Sequence, residues 1–297
     1  IREGLERRIP MSAGKFNNKI TESAQKRIDE LKLLGDYHHF DKNWEFSLGT
    51  LGGGNHFIEV CLDESDTVWL TLHSGSRGVG NKIGNYYIKI AQVLCEKYFI
   101  GLPDRDLAYL PEDTQEFKDY IRDLRWAQEF ARHNRDEMMD RFLTEISYAV
   151  YGENGHQEEI EVERINSHHN FTELENHFKN DVYVTRKGAV KADLGCRAMI
   201  PGSMGTKSYI ISGLANKMSF NSSPHGAGRR MSRKTAQKQF KMEDLERVME
   251  GIEFRRSDVL IDEIPMAYKD IDVVMENSKE LVKIEYILKQ ILNCKGD

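Results

Sequence analysis

Glycine is concentrated at four places in this chain, 49–54, 75–84, 195–205 and 226–228, and each cluster adjoins a histidine, serine or arginine. A residue without a Cβ turns tightly and lets a ligand or phosphate come close to the backbone. The distribution therefore constrains the fold to short elements joined by glycine turns. Ordinary turn chemistry explains most glycines in most proteins. Four clusters, each beside a side chain able to bind or react, point beyond that. In "SSPHGAGRRMSR", residues 222–233, His225 sits in a Gly–Ala–Gly turn followed at once by arginines. Local chemistry leaves it open as a phosphate-loop bystander, a metal ligand or the reacting group.

The elements between these turns are legible in outline. "ESAQKRIDELKLLG" has helical apolar spacing and stops at Gly35. Residues 46–64 read as a glycine turn feeding a short apolar strand, and 66–99 as strand, glycine loop and helix. A 3.6-residue period predicts a helix across 104–150. Short strands alternate with turns from about 160 to 260, and "SKELVKIEYILKQILN" is predicted to close the chain as a helix.

Composition excludes several classes. Of 297 residues, 39% are hydrophobic and 30% charged, as in a soluble globular protein. No run approaches the ~18 apolar residues of a membrane helix. "IREGLERRIP" has no signal-peptide core. Four scattered cysteines without a CxxC pair argue for a reducing compartment, and we read the protein as cytoplasmic. The net charge of −6 weighs against a generic nucleic-acid coat. It leaves room for a local patch, and "GRRMSRKTAQKQFK" carries six cations and no acid; it is either a solvated helix face or a surface tracking a phosphate backbone.

Two familiar nucleotide loops fail on "HSGSRGVGNK". Asn81 stands where a P-loop needs lysine, and the glycines run G-x-x-G-x-G instead of G-x-G-x-x-G. A strand–loop–helix context still offers backbone N–H groups, with Arg77 as a forked cation. His56, His73 and His169 form no local zinc signature. Each alone reads as a hydrogen-bonded structural histidine before it reads as a ligand, although loops on a rigid scaffold can assemble a metal site from distant segments. Spacing does not choose among manganese, zinc and iron. Lys187, Ser203 and Ser208 surround another glycine turn, which serves either as a plain β-turn or as a nucleotide loop.

Seven segments in this order, "GTLGGGNHFIEV", "HSGSRGVG", "RKGA", "IPGSMGTKSYI", "SSPHGAGRRMSR", "DEIPMAYKDID" and the terminal "KG", resemble the RtcB-type RNA ligase family from about residue 40 to 297. The resemblance implies one α+β catalytic domain over 1–297, with mixed or antiparallel sheets flanked by helices and a helical insertion near 104–150. It implies joining of RNA 3′-phosphate or 2′,3′-cyclic phosphate ends to 5′-hydroxyl ends, in tRNA splicing or RNA repair. GTP would be cosubstrate, two Mn2+ ions would assist, and an archease-type activator would be a partner.

By motif position, His225 would be the nucleophile that carries GMP. His56, His73 and His169 would be metal ligands, with His169 preferred to His168 because Asn170 follows it. Asn55, Arg77 and Lys187 would contact phosphates, and Ser203 and Gly226 would line the nucleotide. Glu59, Ser208, Tyr268 and Lys295 would hold guanine, the Glu59 carboxylate accepting from N1–H and the exocyclic amine. The family also has an Asp-x-Gly-Cys-Gly motif upstream of "GNHF", whose Asp and Cys bind metal, and residues 1–54 lack it. "ADLGCRAM" imitates it at the wrong place. The expectation is a fragment of a longer protein; competing readings are an RNA-end cyclic phosphodiesterase or phosphatase, and a non-catalytic guanylate- or RNA-binding relative.

Overall fold

A computed structural model of the chain describes residues 1–152 and 160–296. In chain order the elements are α1 (Arg2–Arg8), α2 (Glu22–Leu34), α3 (Trp44–Ser47), β1 (Phe57–Leu62), β2 (Val68–His73), α4 (Arg77–Lys97) and α5 (Gln115–Tyr151). Next come β3 (Asn170–His177), β4 (Asn180–Lys187), β5 (Ala189–Lys191), β6 (Arg197–Pro201), β7 (Ser208–Gly213) and β8 (Ser222–Pro224). The chain continues through α6 (Arg233–Gln239), α7 (Met242–Val248), β9 (Glu253–Phe254), α8 (Ile271–Asn277) and β10 (Val282–Lys295). This is the mixed α and β composition expected, and its main sheet is largely antiparallel. No helix among the described residues is long and apolar enough to cross a membrane.

Two expectations fail. The final helix is absent: 278–281 are a turn, and Val282–Lys295 is a 14-residue strand. Val282, Ile284, Tyr286, Leu288, Leu292 and Cys294 recur at every second or fourth place, and β-branched and aromatic residues suit a pleated surface. The long helix starts at Gln115, not 104. Pro103 and Pro111 keep the preceding segment out of helix, apart from a single 3₁₀ turn at Arg105–Leu107. Thr114 then caps the helix, its Oγ1 accepting from the Phe117 N–H at 3.2 Å.

The chain resolves into two compact units. One comprises residues 16–50 and 75–137. The α2 stripe Ala24, Ile28 and Leu31 packs there with Trp44, Val79, Ile83, Trp126 and Phe130. Asp123, buried in this unit, accepts from the hydroxyls of Tyr37 at 2.9 Å and Tyr87 at 2.6 Å, so the carboxylate is satisfied despite its burial.

The other unit comprises 1–15, 51–74 and 138–297. Its sheet has the order β2-β1-β10-β7-β6, with β9 added beside β10, and two-stranded ladders join β3 to β4 and β5 to β8. Alternation divides the β2-β1-β10 portion into two faces. Ile58 pairs with Leu72 and Cys294, and Val60 with Leu70 and Leu292; these six side chains join Leu5, Ile9, Met138 and Phe142 in an apolar core. The opposite face is polar and forms the floor of the site.

Candidate active site

On that polar face, Phe57 stands opposite His73 on β2 and Lys295 on β10, while Glu59 stands opposite Thr71 and Asn293. A β-bulge after Val60 brings Gln290 opposite Cys61, onto the same face. Glu59, Thr71, His73, Gln290, Asn293 and Lys295 are all more than nine-tenths buried. Such a density of buried polar groups is costly unless they are paired. Several are not: among the described residues, Glu59 Oε2, His73 Nε2 and Asn293 Oδ1 have no hydrogen-bond partner.

Four imidazoles gather at the His73 end of this face. The His73 ring centroid lies 4.2 Å from that of His169, 5.6 Å from His225 and 6.0 Å from His56, and His169 lies 5.3 Å from His225. They come from four separate segments, those of His56, His73 and His225 beside glycine turns and that of His169 without one, which explains why no local spacing announced them. His56 is anchored by Nδ1, 2.7 Å from the Leu51 carbonyl. His168 turns away and packs on Phe171 at 5.6 Å, so it is His169 that faces the cluster. Burial holds the His73 pKa well below its usual value, and the neighbouring histidines and Lys295 add to that. His225 is also pushed down by burial, against a hydrogen bond to the Gly188 backbone that pulls upward. Both rings are therefore neutral near pH 7, the form that binds metals and attacks electrophiles.

Among the described residues no three His, Cys, Asp or Glu side chains make a ready-formed metal group. The imidazoles are gathered but not converged on one point. The donor set nevertheless fits a divalent cation: three imidazoles, of which His73 is held neutral by burial and has a buried Nε2 without a partner among the described residues.

The "RKGA" and "HHN" segments lock together beside His225. The Gly188 N–H donates to the His169 carbonyl at 2.8 Å and to Asn170 Oδ1 at 2.9 Å. Gly188 has φ +69°, and a Cβ there would meet His225 Cε1 at 3.2 Å. Gly226 packs similarly, its would-be Cβ 3.1 Å from the Pro201 carbonyl. Lys187, at the end of β4, is exposed, as is Asn55.

At the Lys295 end, Glu263 forms a buried hub that sequence reasoning passed over. Its Oε2 accepts from Tyr268 at 2.6 Å and lies 3.1 Å from Lys295 Nζ. Its Oε1 lies 3.4 Å from Arg229 Nη1 and also accepts from Arg233. Burial alone would raise the Glu263 pKa, but Lys295, Tyr268 and Arg233 outweigh it and hold the carboxyl below its usual value. Lys295 is pushed down by burial, which Glu263 opposes. The Arg229 guanidinium covers one face of the Tyr268 ring at 4.9 Å. Its local signal is its place in "DEIPMAYKDID", five residues before Tyr268.

The remaining expected residues are dispersed. Ser203 lies in the β6–β7 turn, its Oγ 3.1 Å from Thr206 Oγ1. Ser208 pairs with Leu288, five residues along β10 from Asn293, and its buried hydroxyl has no partner. Arg77 belongs to the other unit, where it begins α4 at φ +53° and donates from Nε to Thr50 Oγ1 at 2.9 Å.

Residues 3–296 match the model of a family described as tRNA-splicing ligase RtcB. The chain is 51% identical over 249 residues to the RNA-splicing ligase RtcB of Escherichia coli, covering 84% of this chain and 61% of that protein. It is 34% identical over 267 residues to the tRNA-splicing ligase RtcB of Thermococcus kodakarensis, covering 77% and 55%. Over 284 residues it is 31% identical to the corresponding Pyrobaculum aerophilum protein, covering 82% and 58%. The chain thus spans less than two thirds of the length of these relatives. The polar sheet face, the four gathered imidazoles and a family match from end to end agree: this chain belongs to the RtcB family of tRNA-splicing ligases.

Proposed function

We propose that this chain carries the guanylyl-transfer centre of an RNA ligase that joins a 3′-phosphate or 2′,3′-cyclic phosphate end to a 5′-hydroxyl end. The observation that carries the reading is the approach of His225 to His73 and His169, at 5.6 and 5.3 Å, beside a buried polar sheet face. His225 is the nucleophile. Its ring nitrogen forms a P–N bond to the α-phosphorus of GTP as the bond to the bridging oxygen breaks and pyrophosphate leaves. An oxygen of the RNA 3′-phosphate then takes GMP from His225, and the 5′-hydroxyl attacks the activated phosphorus and expels GMP. Dividing the reaction in this way replaces one difficult displacement with easier ones.

His56, His73 and His169 are the residues that would hold manganese. A divalent cation there supplies charge neutralisation at the triphosphate. Neutral His225 keeps its lone pair, since burial disfavours the imidazolium. Gly188 leaves space at its ring. Lys187 and Asn55, both exposed near this end, would meet phosphate oxygens, with Ser203 and Gly226 along the nucleotide. Guanine would lie on the polar sheet face, with Glu59 accepting from its donors, Lys295 and Tyr268 at the edge, and Ser208 along β7.

The test is incubation with GTP, Mn2+ and RNA bearing 3′-phosphate and 5′-hydroxyl ends. A joined product is expected. Opening of a cyclic phosphate end without joining would instead indicate a phosphodiesterase, and RNA binding without turnover a non-catalytic relative.

A further inference from the structure

Glu59 does not stand alone on its face. It pairs across the sheet with Asn293, and both side chains are almost completely buried, at 2% and 1% exposure. Asn293 Nδ2 donates to Glu59 Oε1 at 2.8 Å. The amide nitrogen is the only donor on that side chain, so the orientation of the carboxamide is determined by the acid it faces. Among the described residues the bond leaves two buried oxygens without a donor, Glu59 Oε2 and Asn293 Oδ1. Gln290, on the same face through the bulge, comes near enough to draw the Glu59 pKa down, yet its Nε2 makes no hydrogen bond of acceptable geometry. Two acceptors held by one another's side chains, buried and unsatisfied, are an expensive arrangement for a fold to keep empty.

We propose that Asn293 is a specificity-determining residue for the nucleotide base. It fixes the Glu59 carboxylate through Oε1 and presents its own Oδ1 as a second acceptor, so that the pair receives a purine edge bearing two neighbouring donors. The inference rests on the guanylyl-transfer reading of this face and assigns a part of it to a residue outside the expected set. Guanine has both an N1–H and a 2-amino group; hypoxanthine keeps the N1–H but lacks the amino group; adenine has an acceptor at N1. Glu59 alone separates guanine from adenine. Asn293 separates guanine from hypoxanthine, because a site built around the amino group leaves Oδ1 unpaired when that group is missing.

The experiment is competitive binding to the intact protein of the α,β-methylene analogues of GTP, ITP and ATP, which the covalent step cannot consume. The parent protein should bind the guanine analogue about 10-fold more tightly than the hypoxanthine one, the effect of one lost buried hydrogen bond. In Asn293→Ala that ratio should fall to near one. Asn293→Ser, which keeps a small polar group, serves as a second variant should the alanine protein fold poorly. Retention of the ratio in the folded variants overturns the role of Asn293, and so does equal binding of the two analogues by the parent. If the parent binds none of the three, or prefers adenine, the guanylyl-transfer reading itself falls.

Discussion

Gly188 touches the His225 ring: a Cβ added to the glycine would lie 3.2 Å from Cε1 and 3.4 Å from Nδ1. The glycine also has φ +69°, where any side chain is strained by ~1–2 kcal/mol. Its N–H is shared between the His169 carbonyl and Asn170. One residue therefore joins the proposed nucleophile to a proposed metal-ligand segment. Gly188→Ala is expected to lower thermal stability by a few degrees and to slow guanylylation more than 10-fold. Loss of stability with an unchanged rate of labelling would separate Gly188 from the chemistry.

Burial raises the Glu59 carboxyl to about 7, with hydrogen bonding from Asn293 opposing the rise. In the unfolded chain the group releases its proton near pH 4.5, while the folded protein retains it until about pH 7. The stability contributed by the neutral form is present below pH 4.5 and lost as pH rises through 7, a difference of about 3 kcal/mol. Glu59→Gln should accordingly raise the melting temperature at pH 8 and change it little at pH 4. Base recognition runs the opposite way. In the proposed base site the ionised carboxylate is the acceptor, so nucleotide affinity should fall as pH drops through 7 in the parent and stay flat in Glu59→Gln, as titration calorimetry would show.

Glu263 carries the reverse linkage. Its partners hold the carboxyl below its usual value, so its stabilisation is present above pH 4.5 and lost on acidification. Glu263→Ala leaves Lys295 buried at 4% exposure without its counter-charge, and should cost about 3–5 kcal/mol at pH 7 in urea denaturation. The difference from the parent should shrink as pH is lowered.

Asn134, fully buried, ties two glycine turns together within its unit. Its Oδ1 accepts from the Gly49 and Thr50 amides at 2.7 and 3.2 Å, and its Nδ2 donates to the Thr50 and Gly75 carbonyls, both at 3.2 Å. Asn134→Ala is expected to cost about 2–4 kcal/mol. Hydrogen exchange at the Gly49 and Thr50 amides should accelerate in the folded state.

How much of this was legible beforehand depended on the range of the signal. The β1, β2 and α4 elements and the Gly35 stop of α2 announced themselves through local periodicity and turn residues. The final strand was misjudged as a helix because Ile287, Ile291 and neighbouring apolar residues overlay a helical spacing on the alternating one. The bulge after Val60, which turns Ile291 outward to 41% exposure, is what reconciles them. For the site, His225 stood out by its glycine turn and its family motif. Its proximity to His73 and His169 is tertiary and no spacing could supply it. Asn293 stayed invisible for a related reason, since its significance lies in Glu59, 234 residues away; Glu263 had one local partner in Tyr268, but its pairing with Lys295 spans 32 residues.

The central claim is that His225 accepts GMP. Incubating the intact protein with α-labelled GTP and Mn2+, and then mapping the label by peptide mass spectrometry, tests it without any RNA. An acid-labile GMP adduct on the peptide containing His225, absent from His225→Asn and from reactions without metal, is the expected result. An adduct on another residue, or labelling that persists in His225→Asn, would contradict the account.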